Sequence, residues 1–114
     1  MFLAVPDGSP PELGDVARRL SIECWAGLEN DVLERYLLVA QAQAIDIIVR
    51  ITADCPLIQP NLCNKVLELY NDGQCSYSAI GEGRTFPKGY GCEVFSKFTL
   101  QLANELALEP YDRE

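Results

Sequence analysis

The chain has 114 residues, 17 acidic against 9 basic side chains and a formal charge of −8, and 48% of its positions are hydrophobic. That length and apolar content suit a single soluble globular domain, 1–114, rather than a disordered or membrane-spanning chain, since no apolar run approaches the roughly 18 residues a transmembrane helix needs. With no histidine, Ser-His-Asp and Cys-His relays and HExxH zinc sites cannot be built within the chain, and the acidic balance argues against nonspecific nucleic-acid or membrane-surface binding.

Phe2–Val5 reads as a buried strand stopped by the turn cluster Pro6-Asp7-Gly8. Ser9 is expected to cap a helix that runs through about Leu20, with proline in its first turn. A second short strand, Ile22–Trp25, is closed by Gly27. Asn30 or Asp31 then caps a longer helix in which Val32, Leu33, Tyr36, Leu37 and Ala40 recur at helical spacing. Ile45–Thr52 is β-branched and nearly continuous, the pattern of a strand covered on both faces, and is the candidate central strand. Pro60-Asn61 opens another helix ending at Asn71-Asp72-Gly73, and Cys75–Ile80 is a further strand. Gly81, Gly83, Pro87, Gly89 and Gly91 make a long shaped loop. Cys92–Phe95 returns to strand, and Ser96 caps a last helix to about Leu108. This βαβα alternation predicts an α/β fold: helices on both faces of a mostly parallel sheet.

The five cysteines are odd in number, with no CxxC pair and no signal peptide, so a reducing cytoplasm is expected. Most are read as small buried apolar residues. Cys55 stands apart because it lies within Thr52-Ala53-Asp54-Cys55-Pro56-Leu57, where the expected central strand stops. In parallel α/β sheets ligands sit beyond the carboxyl ends of the strands. Asp54 is therefore placed either to bind a divalent cation or to cap the turn that follows the strand. The segment from Arg84 to Phe95 offers two readings as well. Arg84 and Lys88 beside glycines suit an anionic sugar or phosphate, with Tyr90 as a stacking face and Glu93 as a second carboxylate. Alternatively the glycines serve turn geometry and the charges are solvated.

Four blocks in order carry a resemblance: 29–36, ENDVLERY; 49–58, VRITADCPLI; 84–89, RTFPKG; and 93–96, EVFS. The chain resembles the SpsF-type cytidylyltransferases, the spore coat polysaccharide biosynthesis family related to enzymes that make CMP-activated acidic sugars. The resemblance implies a nucleotide-diphospho-sugar transferase fold, a three-layer α/β/α sandwich. It also implies transfer of CMP from CTP to a sugar or sugar acid, with pyrophosphate released and Mg2+ neutralising the developing charge, for surface polysaccharide or glycan synthesis. Asp54 matches the family's magnesium-binding aspartate. Arg84, Pro87, Lys88, Gly89 and Glu93 match the loop facing the acceptor sugar, and Arg50 and Thr52 match positions near the nucleotide. For Arg35 an ion pair with Asp31 or Glu34 is expected.

The departures shape the expectation further. Ala53 replaces a usual glycine and Gly91 a usual aspartate, and the family's opening basic glycine loop, which holds the triphosphate, has no counterpart. The chain is accordingly expected to be the central part of a longer cytidylyltransferase domain, inactive when isolated, with a homodimer or a complementing chain as possible partner. The alternative is a noncatalytic binding or assembly module derived from that family.

Overall fold

The computed structural model describes residues 1–73, 75–80 and 86–113. Its elements, in order, are β1 (Phe2–Pro6), α1 (Pro11–Arg19), β2 (Glu23–Gly27), α2 (Val32–Ala42), β3 (Ile47–Arg50), α3 (Pro60–Asn71), β4 (Tyr77–Ala79), β5 (Glu93–Ser96), α4 (Lys97–Leu106) and a 3-10 turn, Pro110–Arg113. The chain divides into two compact units, Met1–Ile45 with Leu100–Glu114, and Asp46–Thr99. Among the described residues no helix is long and apolar enough to cross a membrane.

In the first unit β1 and β2 pair in parallel, Phe2 opposite Glu23 through Pro6 opposite Gly27, with α1 as the crossover and α2 packed on both strands. Val5, Ala17, Leu37 and Ala40 are buried there. Asp31 caps α2 as expected, its carboxylate accepting the Glu34 amide at 2.9 Å. Ser9 does not cap α1. The cap position is Pro10, and the Ser9 hydroxyl turns back to donate to the Pro6 carbonyl at 2.7 Å. Pro10 and Pro11 force this outcome, because the first fixes an extended residue before the helix and the second needs no amide partner.

Helices α1 and α2 stop in the same way. Ser21 and Ala44 take left-handed backbone angles, φ 55° and 51°. The Ile22 amide reaches back to the Ala17 carbonyl and the Ile45 amide to the Ala40 carbonyl, each at 2.9 Å. These are Schellman closures, built here without the usual glycine.

The second unit holds a three-stranded sheet in the order β3-β5-β4, both pairs antiparallel. β3 and β4 run in the same direction with α3 between them, as the alternation predicts, and β5 enters between them reversed. The parallel expectation thus holds for β1 with β2, whereas this sheet is antiparallel. The central strand of this sheet is β5 and not the 45–52 segment, of which only Ile47–Arg50 is strand. Cys92 and Val94 are 0% exposed and Phe95 7%, whereas Ile47 and Val49 on β3 are 44% and 42% exposed around a buried Ile48. Val66 of α3 joins Cys92 and Val94 in the core, with Ile58, Cys63, Leu67, Tyr70 and Ile80 packed against them. Ser96 caps α4 as expected, its hydroxyl oxygen accepting the Thr99 amide at 3.0 Å.

Candidate functional site

The register of β3 and β5 brings the first functional side chains together. Arg50, the last residue of β3, lies opposite Glu93, the first of β5, and their Nη1 and Oε2 atoms are 2.7 Å apart. Beyond Arg50 the chain turns sharply. The Cys55 amide donates to the Thr52 carbonyl at 3.1 Å, and the Thr52 hydroxyl donates to Asp54 Oδ1. Pro56 disfavours a helical Cys55, and a second turn follows at once, the Ile58 amide donating to the Cys55 carbonyl at 3.3 Å. The turn is then tied to the 86–92 segment by the Leu57 amide, which donates to the Gly89 carbonyl at 2.9 Å. Gly89 sits at φ +97°, a conformation that favours glycine.

These contacts enclose a hollow of about 400 Å³ lined by Arg50, Thr52, Asp54, Cys55, Gly91, Glu93 and two core residues. Asp54 is exposed, and its carboxyl is held below the usual carboxylate range. The Thr52 hydroxyl contributes most, desolvation opposes it, and Asp54's own amide, the Cys55 thiol and the Arg50 charge add to it. It is therefore ionised at neutral pH and open to solvent. Burial, with Cys63 and Glu93 nearby, pushes the Cys92 thiol up to about 12, which makes it inert as a nucleophile.

Of the residues expected from sequence, Arg50, Thr52, Asp54 and Glu93 line one hollow. Gly89 is tied to the turn by its carbonyl, which accepts the Leu57 amide, but it does not line the hollow, nor do Pro87 and Lys88, which are exposed in the adjoining turn. Arg84 lies outside the described residues. Spacing gives Gly91 only as one of the loop glycines and Cys92 only as a strand residue, although a glycine there is a signal that the backbone must be approached closely. Arg35 departs from expectation. It donates to the carbonyls of Leu28 and Glu29 at 3.0 and 3.3 Å, lying across Gly27, where a Cβ would come within 2.8 Å of its Cγ. Asp31 pairs instead with Arg113 at 2.7 Å.

The donor set bears on what cation such a hollow can take. Among the described residues no three His, Cys, Asp or Glu side chains converge to hold a metal. One ionised, accessible carboxylate suits a magnesium ion that keeps water and phosphate oxygens as its other ligands, and not a resident ion caged by protein.

No protein family model matches the chain. The described fold is nonetheless that of a cytidylyltransferase-like α/β fragment, with a parallel strand pair and crossover helices. A solved cytidylyltransferase from Leptospira borgpetersenii serovar Hardjo-bovis superimposes on 99% of this chain with a TM-score of 0.90 and 30% identity, and the match covers 49% of that protein. An uncharacterized protein of Methanocaldococcus jannaschii is 31% identical over 100 residues, 88% of this chain and 40% of that protein. The chain thus spans half or less of the length of both.

Proposed function

We propose that the chain forms the acceptor-side portion of a cytidylyltransferase that activates a sugar or sugar acid by transfer of CMP from CTP, in surface polysaccharide or glycan synthesis. The observation that carries this reading is the Thr52-Asp54-Cys55 turn at the carboxyl end of β3. It faces Arg50 and Glu93 across one hollow, in a fold that superimposes on a cytidylyltransferase at 30% identity.

In this reading Asp54 holds Mg2+, which when bound offsets negative charge on the transferring phosphate. Thr52 keeps Asp54 ionised and oriented. Arg50 supplies a cation at the strand end for the nucleotide, balanced by Glu93 in the absence of ligand. Glu93, Gly89, Pro87 and Lys88 serve the acceptor, where backbone at Gly89 and the Lys88 ammonium receive hydroxyl and acid groups; Arg84, the other cation of this segment, lies outside the described residues. None of these roles requires histidine, since positioning and electrostatics carry phosphoryl-type transfer.

The charge of −8 repels a nucleoside triphosphate, so tight binding by the 114-residue chain alone is not expected. The test is an NMR titration with CTP and Mg2+. Weak, magnesium-dependent shifts of the Arg50, Thr52, Asp54 and Glu93 signals, lost in Asp54→Asn, are expected. Signals that stay still at these residues while others move would overturn the assignment.

A further inference from the structure

The functional reading leaves one lining group without a task, the thiol of Cys55. Its Sγ is 3.4 Å from Thr52 Oγ1 and 3.8 Å from Asp54 Oδ1. The Thr52 hydroxyl has one proton and gives it to Asp54 Oδ1, so its oxygen is left as an acceptor. The Cys55 S–H lies beside two acceptors, the Thr52 oxygen and Asp54 Oδ1 itself. The thiol and the Thr52 hydroxyl therefore both donate toward the Asp54 carboxylate.

A second, independent contact seats the sulfur. A Cβ built on Gly91 would lie 2.8 Å from Cys55 Sγ, closer than the two atoms can pack. The sulfur occupies the space of a missing side chain at position 91. Two residues after Cys55 and two before Gly91, the bond from the Leu57 amide to the Gly89 carbonyl holds the same two segments together.

We infer that Cys55 is a positioning residue for Asp54: its thiol, seated on the bare backbone of Gly91, fixes the Asp54 carboxylate at the mouth of the hollow, both directly and by orienting the Thr52 hydroxyl that also donates to it. Use of that carboxylate for a cation rests on the function proposed above, whereas the positioning does not. The thiol acts as donor and spacer, and no bond to sulfur is made or broken. Serine keeps the donor on a shorter bond, and alanine removes both donor and bulk. A methyl at position 91 displaces the turn only while the sulfur is present.

The test uses the 114-residue chain and two readouts. The first is the Asp54 χ1 rotamer, from three-bond couplings to Cγ, in the wild type, Cys55→Ser, Cys55→Ala, Gly91→Ala and the double variant Cys55→Ala/Gly91→Ala. One rotamer is expected in the wild type and in Cys55→Ser, and averaging in Cys55→Ala and Gly91→Ala. The double variant should match Cys55→Ala. A Gly91→Ala chain that fails to fold while the double variant folds supports the same steric contact. The second readout is paramagnetic broadening of the 52–55 amide signals by Mn2+ alone. Cys55→Ala should weaken it roughly tenfold, the lower range for groups that orient a metal ligand, and Cys55→Ser should restore most of the loss. A single Asp54 rotamer retained in Cys55→Ala, or averaging already present in the wild type, overturns the positioning whatever Mn2+ does. Broadening that survives Asp54→Asn overturns the cation reading of Asp54 and leaves the couplings to decide the positioning.

Discussion

Arg113 stands 82 residues from Asp31 in sequence, yet its Nε lies 2.7 Å from the Asp31 carboxylate. The same guanidinium donates to the Asn104 and Ala107 carbonyls at 3.2 and 3.1 Å and to the Asn104 side chain. It therefore satisfies the open carbonyls at the end of α4 while pairing with the residue that caps α2, which makes it a latch within the first unit. Arg113→Ala removes the bonds and leaves a mostly covered carboxylate unpaired. A loss of about 2–3 kcal/mol is expected, the cost of leaving a charged partner unsatisfied, and urea unfolding would measure it. Arg113→Lys should recover little, because one ammonium cannot reproduce the fork.

The same pair sets a pH dependence. Burial works against the Asp31 charge, but the Arg113 hydrogen bond, the Glu34 amide and the charges of Arg113 and Arg35 outweigh it and hold the carboxyl below its ordinary range. A folded value below the unfolded one means the contribution is complete above the unfolded value and is lost as pH falls through the folded one. Stability should decline below about pH 4, the unfolded aspartate range, and that decline should be shallower in Asp31→Asn. Equal slopes for the two proteins in unfolding experiments from pH 5 to pH 2 would remove Asp31 from the explanation.

The non-glycine closures of α1 and α2 give a prediction of opposite sign. Ala44 and Ser21 occupy left-handed conformations, which cost an L-residue about 1 kcal/mol. Ala44→Gly relieves that strain without disturbing the bond from the Ile45 amide to the Ala40 carbonyl. It should raise stability by several tenths to about 1 kcal/mol, part of the gain being offset by the greater freedom of glycine in the unfolded chain. Ala42→Gly, at the last residue of α2, should instead lower stability by several tenths of a kcal/mol, so thermal melts of the pair separate helix closure from a general glycine effect.

Local signals made much of this legible in the sequence. Asp31 and Ser96 cap the helices that spacing assigned to them, because a cap depends only on three following residues. The α/β class and the convergence of Arg50, Thr52 and Asp54 follow from one strand running into one turn. Strand order was not legible, because β5 contributes four residues and its central place shows only in burial. The pairing of Glu93 with Arg50 depends on antiparallel register across 43 residues, which hydrophobic pattern does not encode. The Arg113 latch is longer-ranged still, and nothing in the local sequence marks one arginine of nine cations as the partner of Asp31.

Thiol reactivity should separate the cysteines by environment. Cys24 and Cys75 are exposed, whereas Cys92 is buried and its thiol is pushed up to about 12. A raised thiol is kept protonated at pH 8, and the thiolate is the reacting species. Brief alkylation of the native chain, read by peptide mass spectrometry, should mark Cys24 and Cys75 and spare Cys92 until denaturant is added. Labelling of Cys92 at the rate of Cys24 would contradict the packing around Val66 and Val94.

The ion pair between Arg50 and Glu93 should govern both a neighbouring tyrosine and the response of the hollow to anions. Burial raises Tyr77 first, the charge and acceptor of Glu93 raise it further, and Arg50 opposes them, leaving it at about 12. Glu93→Gln removes a raising influence and should bring Tyr77 down; Arg50→Gln removes a lowering one and should send it higher. Tyr77 ring-carbon shifts followed to high pH would read both directions. The same exchanges act oppositely on ligand, since losing the Glu93 charge removes the carboxylate that competes with an anion for Arg50. Pyrophosphate binding should strengthen in Glu93→Gln and weaken in Arg50→Gln, each by about fivefold, matching the roughly 1 kcal/mol of a partly exposed pair. Calorimetry in which both variants weaken binding would mean that Glu93 itself helps hold the anion site in shape, and that Arg50 is a strut of the sheet end and not the cation offered to phosphate.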